Sequence, residues 1–202
     1  MLNAKARFNA ALTSVRAQGL LYDHLVQNLA GTYNYDDILR FQIVFAVSAF
    51  DKLIHDLIRV GMVNSFKNAR PHTPKYLSES ISMGTHFSLS TASIPPAEYL
   101  FEQEIVKKLK TNSYQDPDKV SEGLSLIWIE KHKWQAIAGR MGIDQQTATT
   151  TLKLIAGRRN AIVHEADMDP IQHAPNTITK QEADNVINFI DLCGNSIVDL
   201  VI

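Results

Sequence analysis

Apolar residues recur along this chain at helical rather than alternating spacing. From about Asn3 to Ala30, Leu12, Val15, Leu20, Leu21, Leu25 and Leu29 supply one apolar side, and Gly31 follows as a stop. A second helical pattern runs from about Tyr35 to Gly61, with Asp36 and Asp37 at the positive end of its dipole. Between Phe41 and Phe50 it is apolar nearly all round, interrupted by Gln42 and Ser48, so this helix is expected to lie centrally. Residues 63–94 break the pattern. Asn68 to Pro71 and Thr73-Pro74 are turn signals, and Pro74 is placed to open a short helix through Ser80. Ser82 to Ile94 holds Ser, Thr and Gly but no Asp, Glu, Lys or Arg, and reads as an irregular loop with room for a short strand. Four further helices are expected to begin at Pro95-Pro96, Asp116-Pro117, Trp134 and Asp144. They should end near Lys110, Ile129, Met141 and Asp167, with Gly142 as the stop after Met141. Thr179 should cap a last helix from Lys180 to the C-terminus. The pattern predicts an all-α fold, a helical bundle of about six to eight helices in one domain spanning 1–202, with an irregular insertion near 63–94.

Composition narrows the function classes. A chain of 202 residues buries a core without help from disulfides or metal. Lys+Arg is 20 and Asp+Glu is 21, so no global basic field advertises a nucleic-acid partner. The single cysteine, Cys193, excludes a disulfide framework and a Cys-rich metal site, and fits a reducing, cytoplasmic setting. It lies in an apolar helix and reads as core. The run Phe41–Phe50 is about half of the ~20 residues needed to cross a bilayer, and Met1 to Arg16 has no signal-peptide core, so no membrane role is expected. Neither HExxH, a glycine-rich phosphate loop nor GxSxG occurs, and no cofactor is expected. Asp51 and His55 are an i,i+4 pair with Asp56 beside them, but two ligands without a third make a local pair rather than a metal site.

Chemistry concentrates in Leu154 to Asp167. At about 100° per residue, Ala148, Leu152, Ile155, Ile162 and Val163 form one apolar stripe, and Lys153, Gly157, Asn160 and His164 lie roughly opposite. Asn160 and His164 are neighbours one turn apart. Arg159 projects at the centre of the apolar stripe, about 140° from His164. Either it is a structural arginine paired with a buried carboxylate such as Asp51, or the side chain or helix end bends so that the two meet. Arg158 is then the exposed member of the arginine pair. Glu165 and Asp167 read as solvated helix-end acids, with pairing to Arg158 as the alternative. Trp134 to Leu152 also has the look of a helix-turn-helix, with Gln145, Gln146, Thr147 and Thr149 able to contact bases and phosphates. Its long second helix and few cations count against DNA.

Arg159-Asn160-Ala161-Ile162-Val163-His164 matches the R-x4-6-H motif of the HEPN superfamily, which often has a polar residue after the arginine. The longer phrase Arg158 to Asp167 resembles the RiboL-PSP-HEPN branch, and Trp134 to Gly142 and Ser48 to Gly61 are similar to it too. The resemblance implies a metal-independent endoribonuclease, dimeric, with two motif helices facing one cleft. The RNA 2′-OH attacks the adjacent phosphate, leaving a 2′,3′-cyclic phosphate. His164 would move the proton, Arg159 would stabilise the transition-state charge, and Asn160 would orient the histidine or hold phosphate. Lys153 and Arg158 would bind RNA. The implied partners are RNA, a second copy of the chain, and an antitoxin or regulatory protein in a defence or toxin–antitoxin setting. A non-catalytic RNA- or protein-binding module is the alternative.

Overall fold

A computed structural model describes residues 1–29, 31, 33–169 and 171–201. Among these residues the chain forms nine helices: α1 (Leu2–Asn28), α2 (Asp36–Phe66), α3 (Pro74–Leu77), α4 (Met83–Ser90), α5 (Ala97–Leu109), α6 (Pro117–Leu124), α7 (Lys133–Met141), α8 (Gln145–His164) and α9 (Lys180–Val201). One isolated antiparallel bridge joins Met168 to Pro175. The fold is all-α, as the periodicity predicts.

The predicted punctuation works through named hydrogen bonds. Asp116 accepts from the Asp118 N–H and Asp144 from the Thr147 N–H, each at 2.8 Å, opening α6 and α8. Thr179 and Glu182 make a reciprocal box at the start of α9, with the Thr179 N–H donating to Glu182 Oε2 at 2.7 Å. Gly142 ends α7 at φ 75°, a left-handed position that suits glycine.

Other boundaries differ. The predicted end of α1 at Ala30 lies outside the described residues, and the helix stops at Asn28. Leu20, Leu21 and Leu29 are exposed, so the second half of α1 lies on the surface. α2 continues past Gly61 to Phe66. About half of the 63–94 segment is helical, because two hydroxyl caps start short helices in it. Thr73 Oγ1 and Ser82 Oγ each accept a backbone N–H at 3.0 Å, from Tyr76 and Thr85, starting α3 and α4. α4 then packs on α5. α6 ends at Leu124, short of Ile129. α8 ends at His164 rather than Asp167, because Ala166 and Asp167 turn left-handed (φ 51° and 55°) and cannot continue it.

α2 is the central element, touching α1, α5, α6, α8 and α9. Phe50, Leu53, Ile54, Leu57 and Ile58 are buried against Leu12 of α1, Ile105 of α5, Leu124 of α6, Leu152 of α8 and Ile190 of α9 in one core cluster. It is not apolar-packed all round: Phe41 and Phe45, one turn apart, are 57% and 52% exposed. Two polar side chains inside the core are tied to backbone. Gln42 Nε2 donates to the Val15 carbonyl at 2.9 Å, and Trp134 Nε1 to the Pro117 carbonyl at 2.8 Å. This frame fixes α8 along α2, with one face inward.

Candidate functional site

The inward face of α8 is Ala148, Leu152 and Ile155, continued by half-buried Ile162 against Leu39 and Ile43 of α2. Lys153, Gly157, Asn160 and His164 are all exposed on the other face, as the helical wheel predicts. Arg159 is half-buried and makes no ion pair with Asp51. That carboxylate instead accepts the Tyr114 N–H at 2.5 Å and lies 3.6 Å from His55. Arg159 bends toward the polar face, where its Nη1 donates to Asn160 Oδ1 at 3.1 Å. Its Nε is buried without a hydrogen-bond partner among the described residues.

Arg159 and Asn160, with Lys153 and Gly157, form one wall of a cleft of about 910 Å³, faced by α5, α6 and the 111–116 segment. His164 is not part of that wall. It is the last residue of α8, exposed, with no side-chain hydrogen bond among the described residues. The structure therefore joins Arg159 to Asn160 and Lys153 in one cleft, and leaves the imidazole beyond its edge.

Two expectations are corrected beside the motif. Arg158 is not the free arginine: its Nη2 donates to Asp167 Oδ2 at 2.9 Å and to the Thr177 carbonyl at 3.1 Å. Asp167 is not a solvated acid but fully buried, and also accepts from Arg40 Nε at 2.8 Å. Arg40 Nη2 in turn donates to the Asn176 carbonyl at 2.6 Å. Burial works against the Arg40 charge, but the Asp167 carboxylate outweighs it and raises the guanidinium pKa. These contacts clamp the loop that follows His164 against α2. The sequence held little signal for this pairing, because Arg40 and Asp167 are 127 residues apart. Glu165 is exposed as expected.

Asp51 and His55 form the local pair expected of them, and no three potential metal-ligating side chains come together among the described residues. Cys193 is core, its thiol pushed up to about 12 by burial. α7 and α8 are joined by a short turn at Gly142 and pack on one another, but the polar groups at the start of α8 bond locally: Thr147 to Asp144, Gln146 to Thr150, and Thr149 to the Gln145 carbonyl. Arg140 is held by Asp199 at 2.9 Å. No described helix is long and apolar enough to cross a membrane.

An all-α bundle whose penultimate helix presents arginine, asparagine and, one turn on, histidine defines a HEPN-type domain. The RiboL-PSP-HEPN family model matches residues 11–202, nearly the whole chain, and the chain belongs to that family. No curated protein and no solved structure is found to match it. HEPN membership fits an RNase-like or RNA-binding module.

Proposed function

We propose that this chain is a metal-independent endoribonuclease that cleaves RNA by attack of a 2′-OH on the adjacent phosphate. The observation that carries the reading is the Arg159–Asn160 pair, set at 3.1 Å on a cleft wall with an unencumbered His164 one turn further. A guanidinium held by an amide has its remaining donors free for a phosphate and for the charge that grows on it during attack. The exposed imidazole takes the 2′-OH proton or returns one to the leaving 5′-oxygen. Neither role needs a cofactor, and the 2′-OH requirement makes RNA the substrate. With Arg158 committed to Asp167, RNA binding falls to Lys153, which is half exposed and only loosely opposed by Asp118 at 3.9 Å.

His164 lies outside the wall that holds Arg159, which favours a homodimer in which the histidine of one subunit works with the arginine of the other. The exposed Phe41 and Phe45 supply an apolar face for such a contact. A regulatory or antitoxin partner and a role in defence in the cytoplasm belong to the same proposal. The test is incubation of the purified protein with labelled RNA in EDTA, beside His164→Ala and Arg159→Ala. Cleavage by the parent alone supports the enzyme. A folded parent that binds RNA without cutting it would instead favour the non-catalytic module.

A further inference from the structure

The cleft beside the motif is larger than one phosphate needs. Its roughly 910 Å³ reaches from the α8 wall to Lys108 of α5 and Lys119 of α6. That is the upper end of small-ligand pockets, room for a few unstacked nucleotides and none for a double helix. Most of its charges are already answered from within: Lys108 is paired with Glu79, and Lys119 lies 3.4 Å from Glu122. Arg159 is different. It has no ion pair among the described residues, and its Nε is buried with no acceptor. A guanidinium in a cleft wall with no carboxylate to answer it is best met by an anion.

The shape of the wall selects among anions. Gly157 sits between Lys153 and Asn160, and a Cβ there would meet nothing within 4 Å. The α8 surface is therefore open from the cleft along Lys153, Gly157 and Asn160 toward His164. A free nucleotide fills part of the cleft, whereas a strand occupies it and continues out along the exposed face of α8. We propose that the cleft holds the unpaired RNA strand flanking the scissile phosphate, in the same subunit as the Arg159 that grips it. This rests on the ribonuclease reading for its substrate but not for its test.

The test uses fluorescein-labelled 2′-O-methyl oligonucleotides, which cannot supply the attacking hydroxyl, so binding is read without cleavage. Anisotropy would be measured with an eight-nucleotide single strand, the same strand annealed to its complement, and uridine monophosphate. The variants are Lys119→Glu and Gly157→Leu. The first changes an exposed side chain, and the second replaces a helical glycine by a better helix former, so its melting temperature should not fall. The expected result is single-strand binding at least tenfold tighter than duplex or mononucleotide, weakened fivefold or more by either variant. The proposal is overturned if the parent binds no single strand, if duplex or mononucleotide binds as well, or if both variants bind like the parent. Cleavage of 2′-OH RNA measured alongside separates the two claims. Cutting with binding indifferent to the variants sinks the cleft alone, and binding without cutting sinks the catalysis alone.

Discussion

Replacing Asp167 by Asn removes the single negative charge shared by Arg40 and Arg158, which meet it at 2.8 and 2.9 Å. The carboxylate is fully buried, and the two guanidinium side chains are 11% and 29% exposed. Removing one partner of a buried pair costs about 3–5 kcal/mol because the other charge stays buried and unanswered. Arg40 keeps a second acid, Asp37, at 3.1 Å on the surface, and Arg158 reaches water, so the lower end applies, about 3 kcal/mol. For a chain of 202 residues that lowers the melting temperature by roughly 6–12 °C. Circular dichroism melts of parent and variant measure it, and added salt should change the difference little because the site is shielded from solvent. A double variant, Arg158→Met with Asp167→Asn, should lose less than the sum of the singles. A drop below about 2 °C would refute the reasoning, since it would mean that the clamp contributes under about 1 kcal/mol.

Other outcomes follow from the same structure. A Cβ at Gly194 would fall 2.5 Å from Phe8 Cζ and 3.1 Å from Leu53 Cδ2, so Gly194→Ala should destabilise by about 1–3 kcal/mol in a urea titration. Burial would raise the Asp56 pKa, but hydrogen bonds and charge from Lys52 and Arg7 outweigh it and leave the folded value below the ordinary one. The unfolded chain takes up that proton near ~3.9, so the stability from Asp56 is complete above this pH and is lost as pH falls through the folded value. Asp56→Asn should flatten the acid side of a stability–pH curve, and an unchanged acid slope would count against this. If the proposed homodimer forms through this face, Phe41→Asp with Phe45→Asp should shift its sedimentation to that of a monomer and abolish cleavage. A variant that remains dimeric would remove this face from the interface.

Much of this was legible in the sequence because it is local. Asp116, Asp144, Thr179 and Gly142 act on backbone groups within a few residues, so their roles could be read without the tertiary fold. The polar face of α8 followed from helical geometry alone. What could not be read depends on distant partners. Asp167 turns inward only because Arg40, far back in the chain, waits behind it. The sequence logic of a buried arginine with a buried acid was sound, but it attached to Arg159 and Asp51, and the structure attaches it to Arg40, Arg158 and Asp167. Residues 82–94 looked irregular because they lack charge, yet one serine cap and a surface on α5 suffice for a helix. Arg159 reaches the polar face by bending a long side chain, a freedom that a helical wheel does not contain.

The most direct test of the central claim is a single-atom change in the substrate. Once the cut in a labelled RNA has been mapped, the nucleotide on its 5′ side is replaced by the 2′-deoxy form and the reaction is repeated in EDTA. The account predicts that cleavage at that position is lost while other sites are cut as before, and that the products of the all-ribose RNA carry 2′,3′-cyclic phosphate. Equal cleavage of the deoxy-substituted RNA, or full activity in His164→Ala, would contradict it.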